Sequence, residues 1–156
     1  MAATLAPEVA PDTKARRANM GVLARAPEGR AAALLARAGL AQAFDWLRRP
    51  EIGTVMVRGR AGGTGAPFNL GEMTVTRAAL KLGCGAVGHG HVAGRSKPGA
   101  EAAALIDALM QTGVAAEVEA AVLAPLRAEE AARKSARAQK AAATKVEFFT
   151  LVRGED

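Results

Sequence analysis

Large aromatic side chains are scarce in this sequence, which has no tyrosine, one tryptophan and four phenylalanines in 156 residues. A core must therefore be assembled from Ala, Leu and Val, which pack well but remove less apolar surface from water per side chain. The same scarcity argues against single-stranded nucleic-acid binding by base stacking, which needs aromatic platforms. Cysteine is nearly absent as well. A lone Cys84 excludes an internal disulfide and fits a reducing compartment, so a cytoplasmic protein is expected. No apolar run approaches the roughly 18 residues of a membrane span, and Met1 to Glu8 lacks a basic segment followed by an apolar one. Neither membrane insertion nor secretion is expected.

The chain does have enough residues for one domain that buries roughly 68–70% of the surface its unfolded form exposes. Residues 1–12, with Pro7, Pro11 and aperiodic alanines, read as a flexible tail, and 13–156 as a single domain. The formal charge is +6. Its cations lie at Lys14 to Arg17, at Arg58 with Arg60, and from Arg133 to Lys140. Solvated helix faces, a protein partner, a phosphorylated metabolite and, through the last cluster, a nucleic acid are the readings open to them.

Thr13 is a plausible N-cap for a helix to about Ala26, ended by Pro27. A second helix follows from about Glu28 to Ala38, with Gly39 as a left-handed C-cap. The middle of the chain changes to strand patterning. Phe44 to Leu47 and Thr54 to Arg58 alternate, and a longer strand reads from about Met73 to Leu82, with Ala78, Leu80 and Leu82 on one face. Gly83 to Gly85 form a turn into a return strand from Ala86 to Val92. Helical periodicity resumes from Pro98 to about Gln111, where Ala102, Leu105, Ile106 and Leu109 make one apolar stripe. A longer helical stretch runs from about Val114 to Ala143 and is broken at Pro125. In it Glu129 precedes Arg133, and Glu130 precedes Lys134, by the spacing of helical ion pairs. The closing segment from Thr144 is rich in β-branched and aromatic residues, and adjacent Phe148 and Phe149 would be docked rather than left in water. The fold class is α+β: an antiparallel sheet of about four strands with helices at both ends of the chain, followed by a C-terminal extended segment.

The most unusual stretch is Arg60 to Glu72, which holds Gly62, Gly63, Thr64, Gly65, Phe68 and Glu72. Closely spaced glycines let successive amides turn toward an anion, and Arg60 would add charge. No Gly-Lys-Ser/Thr follows, so this is no nucleotide P-loop. It reads either as a phosphate cradle or as a shaped turn between strands or at an interface. Arg77 lies on the following strand, and Arg60, Glu72 and Arg77 around the turn make one candidate polar site. His89 and His91 share a strand face, but spacing supplies no third ligand, and Cys84 has neither a base partner nor a visible low-pKa setting. No metal site and no catalytic set is expected.

Pro50-Glu51-Ile52-Gly53, Gly62-Gly63-Thr64-Gly65, Phe68 to Glu72, Thr76-Arg77, Gly94-Arg95, Ala104 to Gln111 and the closing Val146 to Glu155 occur in an order that resembles the PhnG family. The resemblance runs from about Arg16 to the end. It implies a supporting subunit of the bacterial carbon–phosphorus lyase core complex, with PhnH, PhnI and PhnJ as partners. In that complex ATP and methylphosphonate give α-D-ribose 1-methylphosphonate 5-triphosphate and adenine, PhnI carrying the nucleosidase chemistry and PhnJ the radical iron–sulfur chemistry. It also implies that ATP is a substrate of the complex, with no cofactor on this chain. Gly62 to Gly65, Arg77, Arg95 and Arg153 match the family pattern. Ser96-Lys97 stands where relatives carry Asp-Lys, and relatives tend to have aromatic residues near His89 and His91.

The candidate contacts to a partner or phosphorylated ligand are therefore Arg60, Gly62, Gly63, Thr64, Gly65, Phe68, Glu72, Arg77, Arg95 and Lys97, with Phe148, Phe149 and Arg153 for C-terminal docking. A self-sufficient enzyme binding a phosphate ligand and a basic nucleic-acid module are the competing readings.

Overall fold

The computed structural model describes residues 13–145. The expected tail, the C-terminal extended segment and its Phe148, Phe149 and Arg153 lie outside the described residues. Two helices, α1 (Thr13–Ala24) and α2 (Arg30–Arg37), lead into a β-meander of β1 (Phe44–Arg60), β2 (Pro67–Leu82) and β3 (Val87–Ala93). The central helix α3 (Lys97–Leu109) follows, then α4 (Ala115–Val118), a π-helical turn (Glu119–Leu123) and α5 (Ala124–Ala143). The architecture is α+β with helices at both ends. Among the described residues the sheet has three antiparallel strands in the order β1-β2-β3, one fewer than the sequence pattern suggests.

The count changes because the two short strands expected before the glycine-rich stretch are one. Pro50 would interrupt a central strand, but β1 is an edge strand, and its pairing with β2 shifts register between Trp46 and Arg48 and between Arg48 and Glu51. A proline at such an irregularity removes no ladder hydrogen bond. β2 likewise begins at Pro67, not Met73, so half of the glycine-rich stretch is strand. The turn after β2 is as expected, with Gly85 at φ 93°. So is the left-handed Gly39 after α2, at φ 67°.

α3 starts at Ser96, whose Oγ accepts from the Gly99 amide at 3.2 Å. It is more than an amphipathic stripe: Ala100 and every residue from Ala102 to Leu109 are buried. The sheet covers one side, and α1, α2 and α4 cover the other. Its alanines allow backbone-level contact with β3. A Cβ built on Gly88 would lie 1.9 Å from the Ala104 carbonyl oxygen, and one on Gly90 would lie 2.0 Å from that of Ala100. Only glycine permits that approach. Phe44 and Trp46, edge-to-face with ring centroids 4.9 Å apart, pack at the margin of this core.

Pro125 does not break the last helix. It sits in the first turn of α5, and the π-turn before it takes up the change in hydrogen-bond spacing, so backbone angles stay helical through Leu123 and Ala124. Of the two expected ion pairs within α5, Glu130 with Lys134 forms, at 3.0 Å. Glu129 instead pairs with Arg30 of α2 at 2.6 Å, and Glu130 also takes Arg25 at 2.7 Å. These contacts tie α5 to the helical layer as far as residue 130, beyond which every side chain to 145 is exposed.

Hydrogen bonds from Arg25 and then Lys134 hold the Glu130 carboxyl down at about 2, against an ordinary value of 4.5. A depressed acid stabilises the fold above its unfolded pKa, and that contribution fades as pH falls from about 4.5 toward 2. Glu130→Gln should therefore melt below the native protein at pH 7 and converge with it near pH 2, as followed by circular dichroism across that range.

Candidate functional site

β1 and β2 run past the end of β3 as a two-stranded arm. β3 pairs β2 only over Val75 to Lys81, whereas β1 pairs β2 as far as Arg60 opposite Pro67. The residues beyond Val75 and Gly53 thus reach outward without a third strand. The tip is a 3-10 turn, Ala61–Gly63, in which Gly62 and Gly63 take φ of 58° and 80°. Those values account for two of the glycines. Gly65 is explained by space, since its Cβ would meet the Ala61 carbonyl oxygen at 2.7 Å.

The turn closes on itself. The amides of Thr64 and Gly65 both donate to the Ala61 carbonyl, and Arg60 Nη1 donates to the Gly65 carbonyl at 3.0 Å. The Thr64 and Gly65 amides that a phosphate cradle would point outward are thus taken within the turn. Phe68 flanks Gly59 at the tip, and Glu72 lies across from Met56 on the arm.

Arg77 is not at the tip. It faces Glu51 across the sheet with Nε 2.7 Å from the carboxylate, and Arg48 reaches the same oxygen at 3.5 Å. Arg60 lies nine steps along β1 from Glu51, so Arg77 and Arg60 stand roughly 30 Å apart. The structure does not bring Arg60, Glu72 and Arg77 into one cluster; it spreads them along the arm from tip to root. Arg95 and Lys97 belong to the root, where the Gly94 amide donates to the Thr74 carbonyl at 2.9 Å and Thr76 Oγ1 donates to the Gly94 carbonyl at 2.8 Å. Arg95 borders a cleft of about 250 Å³ between this loop and the α1–α2 corner, lined also by Leu23, Pro27, Gly29 and Val92.

His89 and His91 are both exposed on the face of β3 away from α3, with His91 opposite Arg77. No group of three metal-ligating side chains forms among the described residues. Cys84 is half-buried against the core.

A polar tie absent from the sequence analysis sits under β3. Asp107 is buried within α3, and its carboxylate accepts from Arg16 Nε at 2.8 Å, from Arg16 Nη2 at 2.6 Å and from the His89 amide at 2.8 Å. Arg16 Nη2 and Gln111 Nε2 also donate to the Val87 carbonyl, at 3.0 and 2.7 Å. The hydrogen bond to Asp107 raises the Arg16 pKa above its ordinary value, against the effect of burial. A lone acid inside an otherwise apolar run, Leu105-Ile106-Asp107-Ala108-Leu109, was the available signal: a buried carboxylate requires a cationic partner. Glu51, the partner of Arg77, had no comparable signal, because its neighbour is 26 residues away in sequence.

No helix among the described residues is long and apolar enough to cross a membrane. The frame is thus an α+β protein in which Arg16, Arg25, Arg30, Arg77 and Arg127 all pair with carboxylates, and from which a strand ribbon and a basic helix extend. The family described as phosphonate metabolism protein PhnG matches residues 14–154, and the chain belongs to the PhnG family. Among its relatives is the α-D-ribose 1-methylphosphonate 5-triphosphate synthase subunit PhnG of Rhizobium meliloti (strain 1021), 51% identical over 115 residues that cover 70% of each chain.

Proposed function

We propose that this chain is a non-catalytic, supporting subunit of the carbon–phosphorus lyase core complex in alkylphosphonate catabolism. It acts in the cytoplasm with PhnI, PhnH and PhnJ, and is required with PhnI for making α-D-ribose 1-methylphosphonate 5-triphosphate from ATP and methylphosphonate. ATP is a substrate of the complex, and this chain holds no cofactor. The observation that carries the reading is the family match over nearly the whole chain, together with a relative whose name describes a synthase subunit. The pairing of so many arginines in ties between elements supports a scaffold role. In this reading the arm carries the partner contacts, its tip (Arg60, Gly62 to Gly65, Phe68) and its root (Arg77, Arg95, Lys97) meeting different parts of the assembly, with phosphorylated substrate near one of them.

The test is co-expression with PhnH, PhnI and PhnJ of the same host, affinity purification on this chain and size-exclusion chromatography with light scattering. A stoichiometric complex is expected; a lone monomer that retains none of them overturns the reading. Arg77→Ala removes the nearer of the two arginines on Glu51 at the root and should lower either the yield of complex or its ribosylation rate severalfold. Both unchanged would remove Arg77 from the interface.

A further inference from the structure

The two edges of the sheet are treated differently. At the start of β3 two outward backbone groups are occupied: the Val87 carbonyl accepts from Arg16 and Gln111, and the His89 amide donates to Asp107. At β1 the order β1-β2-β3 leaves a 17-residue strand on the other edge, and among the described residues no backbone or side-chain group bonds to its outer side. An uncovered edge of that length is a template for another strand.

The arm's two faces point the same way. Ile52 and Met56 are exposed on one face, and Phe68, Leu70 and Met73 on the other, with Leu70 65% and Met56 52% accessible. A two-stranded ribbon is marginal by itself in water. One with exposed apolar residues on both sides has no wholly polar face to turn to solvent. Charge at the edge is also patterned. Arg48 and Arg49 precede the stretch 52–57, which carries no charge, and Arg58 and Arg60 follow it. Arg49, Arg58 and Arg60 pair with no carboxylate among the described residues.

We infer that the outer edge of β1 is completed by an extended strand from another subunit, apolar or β-branched over the stretch facing 52–57 and carrying carboxylates toward its ends. This rests on the subunit reading above. Backbone hydrogen bonds would supply the affinity, and the flanking arginines would set register and direction. A second copy would set the arginines of one β1 against those of the other.

Amide hydrogen exchange at residue resolution, on the full chain alone and in the co-purified complex, tests this. In the chain alone, alternate amides over 52–58 should exchange rapidly, because they point away from β2. In the complex the same amides should slow by about tenfold or more. If the complex forms and they exchange as in the free chain, the inference fails and the subunit reading stands. If no complex forms, both fail. Slow exchange already in the chain alone also overturns it: concentration dependence would assign the edge to a second copy, and loss of protection on deleting residues 146–156 would assign it to the chain's own terminus.

Discussion

Gly88→Ala is expected to lower the melting temperature by about 10 °C, corresponding to about 3 kcal/mol. The added methyl would sit 1.9 Å from the Ala104 carbonyl oxygen and 2.7 Å from the Ala108 amide nitrogen. These are main-chain atoms of a helix buried on all sides, so no rotamer change relieves the overlap. β3 must move away from α3, opening the core around Leu80, Ile106 and Leu109, all fully buried. Gly90→Ala should behave alike through the Ala100 carbonyl oxygen. Gly71→Ala is the matched control. It lies in β2 with nothing within 4 Å of its added Cβ and no left-handed angle, and should stay within about 0.5 kcal/mol of the native protein. Thermal melts of the three variants separate close backbone approach from a general cost of replacing strand glycines. Equal effects at Gly71 and Gly88 would refute the packing account.

Asp107→Ala should cost about 3 kcal/mol, comparable in size and different in mechanism. Removing the carboxylate leaves the half-buried Arg16 guanidinium without its counter-charge and the His89 amide without its acceptor. Arg16→Met should cost at least as much, because it leaves the buried Asp107 carboxylate without its counter-charge and with the His89 amide as a single donor. Asp107→Asn should cost less than either, since its amide oxygen can still accept one of the three donors and no unpaired carboxylate is left buried. Urea unfolding of the three variants gives the order. An Arg16→Met variant much less damaged than Asp107→Ala would show that the hydrogen bond to β3, and not the ion pair, holds this corner together.

Both sites bear on how function was read. In the sequence, chemistry is expected in the glycine-rich stretch, where glycines and an arginine are dense. Part of that density has a local explanation: Gly62 and Gly63 turn the chain with positive φ, and Gly65 clears a carbonyl. The tightest glycines, Gly88 and Gly90, lie in a strand whose own residues carry no hint of what approaches them. Helix bounds read from caps and periodicity came within a few residues for α1, α2 and α3, because Pro27, Gly39 and Pro98 act on their immediate neighbours. Strand bounds were less legible. Pro50 and the glycines before Met73 interrupt the alternation, yet only the position of β1 at an edge decides that the interruption is harmless.

What the sequence by itself determined is therefore local or cumulative: the α+β class, the alanine-rich core, the turn at Gly83 to Gly85, the lack of disulfides, and family membership carried by short segments in order along the chain. Tertiary structure alone decided which charges meet. Glu129 pairs with Arg30 instead of Arg133, Glu51 with Arg77, and Asp107 with Arg16 across 91 residues of sequence. It also decided that Arg60 and Arg77 stand at opposite ends of an arm, and that the start of β3 is capped on its outer side while, among the described residues, no group bonds to the outer edge of β1. Caps, turns and periodicity depend on neighbours a few residues away, which a sequence displays. Ion pairs and strand edges depend on how distant segments pack, and that follows from the one arrangement in which α3, flanked by alanines and glycines, can lie at the centre.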